Sequence, residues 1–151
     1  MAFGFANAKA RGYEADDFLN AAVAAEEQRG GAVLVASGDR DTDQLASERT
    51  TILYPLRADE MAPIEAAEVR KRYGVDRGQV SDFIALRGDP SDKLPGAPGV
   101  GPASAANRLT KDGSLEEILK AGRFAAQAKE LHLYRRIATM GAKAPPPKIL
   151  A

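Results

Sequence analysis

An α/β fold, with a partial open parallel sheet followed by an all-helical region, is predicted by three features of the sequence. Short β-branched runs alternate with helix-forming stretches up to residue 62, and strand signals stop beyond Pro63. A stretch rich in Gly and Pro, from Leu94 to Pro102, then separates two helical segments. The expected divisions are residues 1–62 for the sheet, 63–144 for the helical region and 145–151 for a flexible tail opened by Pro145-Pro-Pro147. A length of 151 residues, 44% hydrophobic and 28% charged, suits one globular unit and excludes disorder, collagen and coiled coil.

The elements follow in order. Glu14 to Gln28 consists mostly of helix formers, with Phe18, Leu19, Ala22 and Val23 on one apolar stripe, and Gly30-Gly31 stops the helix. Ala32 to Ala36 is short, β-branched and without alternation, as expected of a strand covered on both faces. Ser37-Gly38 ends it, a helical turn is expected from Thr42 to Ala46, and a second strand from Thr51 to Tyr54. Helices are expected over Ile64 to Tyr73, closed by Gly74, and over Val80 to Leu86, closed by Gly88. Ala103 to Leu109 forms the next. Ser114-Leu-Glu-Glu117 is a capping box opening another, and Ala125 to Met140 is the last.

Composition limits the chemistry. There is no cysteine and one histidine, His132, so any metal is held by oxygen. His132, between Leu131 and Leu133, reads as a surface or packing residue. No run reaches the roughly 18 apolar residues of a membrane span, and no basic-then-apolar leader opens the chain, so a cytoplasmic protein without a membrane partner is expected. The net charge of zero is unevenly spread: residues 1–66 carry 12 acidic and 6 basic side chains, residues 67–151 carry 9 and 15. An acidic half beside a basic half suits a cation site next to a polyanion surface, although two solvated faces would look the same.

Four constellations carry chemistry. Gly12-Tyr-Glu-Ala-Asp-Asp17 puts Glu14, Asp16 and Asp17 at a helix start, where the dipole alone also favours acids. Ser37-Gly-Asp-Arg-Asp41 puts Asp39 and Asp41 at the carboxyl edge of a strand, where open α/β sheets bind ligands. Asp43, nearby, is explained equally well by a first-turn helix position. Arg87-Gly-Asp-Pro-Ser-Asp92 adds Asp89 and Asp92. Several clustered carboxylates suit a hard divalent ion, Mg²⁺ or Mn²⁺, whose charge offsets their repulsion. Finally, Pro95-Gly-Ala-Pro-Gly-Val-Gly101 runs into a helix, and Gly-Val-Gly-x-x-x-Ala matches a helix-hairpin-helix that grips a DNA backbone without reading sequence.

In this order the four motifs closely resemble the flap endonuclease and 5′-3′ exonuclease family, including the nuclease domain of bacterial DNA polymerase I, from about Gly12 to Ile118. The resemblance implies a PIN-like nuclease core and a SAM-like helix-hairpin-helix (H3TH) region. It implies that Glu14, Asp16 and Asp17 lie near a first metal ion and that Asp39, Asp41, Asp89 and Asp92 hold a second. The two ions would hydrolyse phosphodiesters at DNA 5′ ends or flaps, in replication and repair. It further implies that Gly96, Gly99, Val100, Gly101 and Ser104 hold the duplex, with K⁺ at the hairpin. Lys93, Arg108 and Lys111 would contact the backbone or simply be solvated.

Two departures qualify the expectation. The family's opening strand with an essential Asp, a second Asp and a helical arch do not precede Gly12, and Met1 to Arg11 cannot replace them. The first metal site is therefore expected to lack carboxylates, and an exposed sheet edge invites self-association or a missing N-terminal fragment. Ala103-Ser104 also stands where the family often has Lys-Thr, weakening one phosphate contact. The alternatives are a non-catalytic DNA-junction-binding module, the C-terminal part of a split nuclease, or a Mg²⁺-dependent phosphatase, which would have no use for the hairpin.

Overall fold

Helix α1 (Ala15–Gln28) forms because its sequence is rich in alanine, and it buries Phe18, Ala21 and Val23. It ends at Arg29, with Gly30 at φ +82° turning the chain out. The computed structural model describes residues 7–57, 59–141 and 143–145; the tail beyond Pro145 lies outside them. Strand β1 (Val33–Ala36) follows and pairs in parallel with β2 (Thr50–Arg57), Val35 opposite Ile52. The crossover holds a 3-10 turn, Arg40–Leu45, where the helical turn was expected. Glu27 ties α1 to this crossover: its carboxylate accepts from the hydroxyls of Ser47 and Thr50, and these bonds hold it below the usual carboxylate range.

Two expectations about the sheet are corrected. A third strand, β3 (Glu60–Ile64), pairs antiparallel with β2, so the sheet is mixed rather than parallel, in the order β1-β2-β3. Its sequence hides it: only Ile64 is buried, and Pro63 faces Leu53 at the sheet edge, where a missing N–H costs nothing. It also runs across residue 62, where the helical region was expected to begin. Strand β1, meanwhile, is not covered on both faces. Val35 is buried, but Leu34 is 71% exposed and Ala36 is exposed, because β1 is an edge strand packed on one side only.

The remaining elements are helical: α2 (Ala66–Tyr73), α3 (Val80–Arg87), α4 (Pro102–Asp112), α5 (Leu115–Lys120) and α6 (Ala128–Ala138). Central among them is α3, whose Val80, Phe83, Ile84, Ala85 and Leu86 are all buried, so its surface is apolar nearly all round. Even Asp82 is buried, accepting from the Leu115 amide at 3.0 Å and pairing with Arg135 at 3.2 Å. Helices α4 and α6 and the 3-10 turn pack against α3, and its side chains share one core with Val35 and Ile52 of the sheet, Val69 of α2, Leu109 of α4, Ile118 of α5 and Leu131 of α6. Ser114 caps α5 as the capping box predicts, accepting from the Glu117 amide at 3.3 Å. The expected final helix is interrupted, starting as a 3-10 turn at Ala125–Gln127.

The contrast between the faces is testable by thermal unfolding. Ile52→Ala, at a fully buried position, is expected to cost about 2–5 kcal/mol. Leu34→Thr, on the open face, should change stability by no more than about 0.5 kcal/mol.

Candidate active site

Two loops face each other across a cleft of about 950 Å³, lined by Gly38, Asp39, Arg40, Asp41 and Tyr54 on one side and by Arg87 to Asp92 on the other. The first loop leaves the carboxyl end of β1. The Asp39 amide donates to Ser37 Oγ at 3.1 Å, Asp39 Oδ1 accepts from the Asp41 amide at 3.0 Å, and the Thr42 hydroxyl donates to the Asp39 carbonyl. Asp39 is thus the N-cap of the 3-10 turn, and this capping projects both acids from one tight turn.

The second loop leaves α3 at Gly88 (φ +85°) and is closed by a two-way bridge, Asp89 amide to Leu94 carbonyl at 2.9 Å and the reverse at 2.8 Å. Only glycine fits here. A Cβ on Gly88 would meet the Leu94 carbonyl oxygen at 2.6 Å, and one on Gly96 would meet the Gly88 nitrogen at 2.5 Å. Burial disfavours an ionised Asp89, but bonds from Ser91 and the Arg87 guanidinium at 3.3 Å outweigh it and hold the carboxyl below its usual range.

Asp41 has no such relief. Burial, followed by the charges of Asp39, Asp92, Asp89 and Asp16, pushes its carboxyl from the ordinary 3.8 up to about 7. Asp16, in the first turn of α1, is raised for the same reasons, by burial and then by Asp39, Glu14, Asp17 and Asp92. The fold therefore gathers Asp16, Asp39, Asp41, Asp89 and Asp92 into one electrostatic cluster. Glu14 sits exposed at the N-cap of α1 beside it. Asp17 is turned elsewhere: Oδ2 accepts from the Glu14 amide at 3.1 Å and Oδ1 from the Gly141 amide at 2.7 Å, a helix cap and a tether for the chain after α6.

An all-oxygen set under mutual repulsion is the donor chemistry a hard divalent cation matches. Among the described residues no three acidic or histidine side chains approach closely enough to hold an ion as they stand, as expected of like charges without a counter-charge. Four of these carboxylates, Asp39, Asp41, Asp89 and Asp92, line the same cleft.

Beyond Asp92 the chain enters the hairpin. Val100 and Ala97 are buried and anchor it, Ala97 donating to the Leu86 carbonyl at 2.8 Å. Gly99 (φ +71°) and Gly101 lie on the outer side, where an added Cβ would meet nothing within 4 Å. Helix α4 is capped by Gly101 with Pro102 in its first turn and no side-chain cap, so its first amides lack partners within the helix. Arg108 lies 5.2 Å over the Phe124 ring and donates to Ser104 Oγ at 3.3 Å, which orients it along α4. Lys93, at φ +57°, and Lys111 are exposed. Between the cleft and the outer face of the hairpin runs only the short stretch Lys93 to Pro98.

Sequence reasoning missed Tyr54, which joins the cleft wall only when distant segments meet, and the local bonds by which Arg87 and Ser91 hold Asp89. It also explained away Asp43, which is fully buried and carries hydrogen bonds from α2.

Comparison with known proteins gives a consistent picture. Family models described as the 5′-3′ exonuclease N-terminal resolvase-like domain and the 5′-3′ exonuclease C-terminal SAM fold match residues 1–74 and 75–148. DNA polymerase I of Mycobacterium tuberculosis is 44% identical over 109 residues, covering 72% of this chain. The thermostable DNA polymerase I of Thermus caldophilus is 42% identical over 117 residues, covering 78%. The chain spans only 12% and 14% of those proteins. Among solved structures, the bacteriophage T5 flap endonuclease in a pseudo-enzyme-product complex with DNA and metal ions superposes with a TM-score of 0.74 at 19% identity, over 85% of this chain and 50% of that one. The T5 5′-exonuclease bound to divalent metal ions (zinc) gives 0.72 at 21% identity, over 85% and 51%. These likenesses show the fold, a PIN-like sheet followed by a SAM-like helical region.

The crowding at Asp41 has a measurable sign. A folded-state value of about 7 against 3.8 means that the fold favours the protonated acid, a stabilisation present below pH 3.8 and lost as pH rises through 7. In EDTA, Asp41→Asn should therefore melt higher than the parent chain at pH 8, by at least about 3 °C, and the gap should close at low pH. Equal melting at pH 8 would contradict the electrostatic reading.

Proposed function

This chain belongs to the 5′-3′ exonuclease family, and on that premise we propose that it acts on DNA at 5′ ends or flaps, hydrolysing phosphodiester bonds with Mg²⁺ or Mn²⁺ in replication and repair. The observation that carries the proposal is the adjacency of two features: a cleft lined by Asp39, Asp41, Asp89 and Asp92, and, in the same loop as the last two, a glycine hairpin whose outer side is open.

In this reading Asp39, Asp41, Asp89 and Asp92 hold a divalent ion, and Asp16 and Glu14 lie toward a second position. When bound, the metal supplies charge to activate water and stabilise the phosphate. The chain's own residues do the rest. Arg87 neutralises Asp89 rather than the whole cluster, which leaves a net negative cleft ready for a cation. Gly99, Gly101 and the free amides of α4 approach the DNA backbone, Ser104 and Arg108 extend that contact, and Lys93 and Lys111 add sequence-independent charge. The hairpin carbonyls would hold K⁺, which would supply positive charge toward a phosphate. The open edge and face of β1 are the surface through which a second copy or a complementary nuclease fragment would complete the sheet.

A second reading is a module that binds DNA junctions without cutting, through the open glycine hairpin alone. Cleavage separates the two readings. End-labelled 5′-flap DNA should be cut by the purified chain in Mg²⁺ or Mn²⁺, and cutting should stop with EDTA or with Asp39→Ala, while duplex binding persists. Retained binding with no cleavage in either metal would favour the second reading.

Binding has its own test. Gly101 has ordinary backbone angles and open space around it, so Gly101→Ala should fold with a loss of about 1 kcal/mol or less. The added methyl would nevertheless stand where the DNA backbone approaches. Duplex affinity, measured by fluorescence anisotropy, is expected to fall roughly tenfold, and unchanged affinity would remove the hairpin from the interface.

A further inference from the structure

The carboxylate of Asp43 is unlike the others in the acidic region. Its side chain is 0% exposed, in the same 3-10 turn that carries Asp39 and Asp41 toward the cleft. Asp43 Oδ2 accepts from the Tyr73 hydroxyl at 2.7 Å and from the Arg72 guanidinium at 3.1 Å, both at the end of α2. Asp43 Oδ1 is buried with no hydrogen-bond partner among the described residues. Burying an ion pair and leaving one oxygen unpaired costs stability, and a packed apolar residue at this position would avoid both penalties. The network also reaches the cleft itself, since the Arg72 guanidinium lies 6.0 Å over the ring of Tyr54, which forms part of the cleft wall.

The turn needs such a restraint. It carries Asp39 and Asp41, which face Asp89 and Asp92 of the opposing loop across the cleft, and like charges favour moving the two loops apart. Opposing that movement are the buried Thr42 and Leu45 and the Gln44 side chain, which donates to the Ala138 carbonyl at 3.0 Å and accepts from the Met140 amide at 3.2 Å. The Arg77 guanidinium adds a bond to the Leu45 carbonyl at 3.4 Å, and Asp43 supplies the side-chain ion pair, which runs to α2 rather than α6. Burial and the Asp43 bond hold the Tyr73 hydroxyl protonated well above its usual range, so it remains a donor at any working pH.

We propose that Asp43 is a positioning residue that, through Arg72 and Tyr73, clamps the Arg40–Leu45 turn to α2 and so sets the affinity of the cleft for a divalent cation. The inference rests on the reading of the cleft as a cation site. Asp43 does not itself touch the ion, because its side chain is buried between the turn and α2.

The test is Mn²⁺ binding to the full chain, followed by the electron paramagnetic resonance signal of free Mn²⁺, for the parent chain, Asp43→Asn, Tyr73→Phe and Asp41→Asn. Tyr73→Phe removes one hydroxyl and keeps the ring on Phe83, so it provides a folded variant should Asp43→Asn unfold. Ile118→Val in α5, which lowers stability away from the turn, controls for general loosening. Asp43→Asn and Tyr73→Phe are each expected to raise the Mn²⁺ dissociation constant at least fivefold, with Ile118→Val unchanged. Saturable Mn²⁺ binding by the parent chain that is lost in Asp41→Asn but unaltered in folded Asp43→Asn and Tyr73→Phe would overturn the positioning role alone. An equal loss in Ile118→Val would overturn it as well, because the effect would then be general destabilisation. Absence of saturable binding by the parent chain would instead overturn the cation reading, and this inference with it.

Discussion

Carboxylates of like charge repel, and this chain brings five of them near one another, four of them lining one cleft. Asp16, Asp39, Asp41, Asp89 and Asp92 come from a helix start, a strand end and a loop before a hairpin, segments far apart in sequence. Their mutual repulsion is most apparent at Asp41, whose carboxyl is raised to about 7. The surrounding architecture works against that repulsion. Backbone amides cap Asp39 and Asp89, the buried helix α3 anchors the second loop, and Gly88 and Gly96 let two backbone segments touch where no side chain would fit. A fold that accepts this strain concentrates negative charge in one cleft.

The helical region solves a different problem with the same loop. Asp89 and Asp92 face the cleft, while a few residues later Gly99 and Gly101 face outward and Val100 faces the core. One irregular segment thus carries acids on one side and bare backbone on the other. Because it hangs from α3, whose side chains belong to the core shared by sheet and helices, the two surfaces are fixed relative to each other by the core rather than by a hinge.

Much of this arrangement was legible in the sequence, and the failures have physical causes. Helix α1 announced itself by its alanines and apolar stripe, α5 by its Ser114 cap, and the hairpin by its glycines, because these are local signals. Strand β3 was illegible because an edge strand with one buried residue needs no hydrophobic alternation and tolerates Pro63. Strand β1 was legible as a strand but not in its burial: a run of Val, Leu and Ala does not say whether a second layer covers it, and Leu34 is open. At the site, the acidic residues could be picked out by spacing, yet the division of labour among them could not. Asp17 and Asp16 are neighbours, and only their tertiary surroundings make one a backbone tether and the other part of the cluster. Asp43 was noticed, but its role was hidden for the same reason, since its partners Arg72 and Tyr73 lie some thirty residues away.

The central claim is that the crowded carboxylates form a divalent cation site. It is tested most directly by anomalous X-ray diffraction from crystals of this chain soaked in Mn²⁺. The account predicts an anomalous peak in the cleft between the Asp39–Asp41 turn and the Asp89–Asp92 loop, with oxygens of both segments in its coordination shell. A peak confined to other surface acids, or none at a Mn²⁺ concentration that supports cleavage, would contradict it.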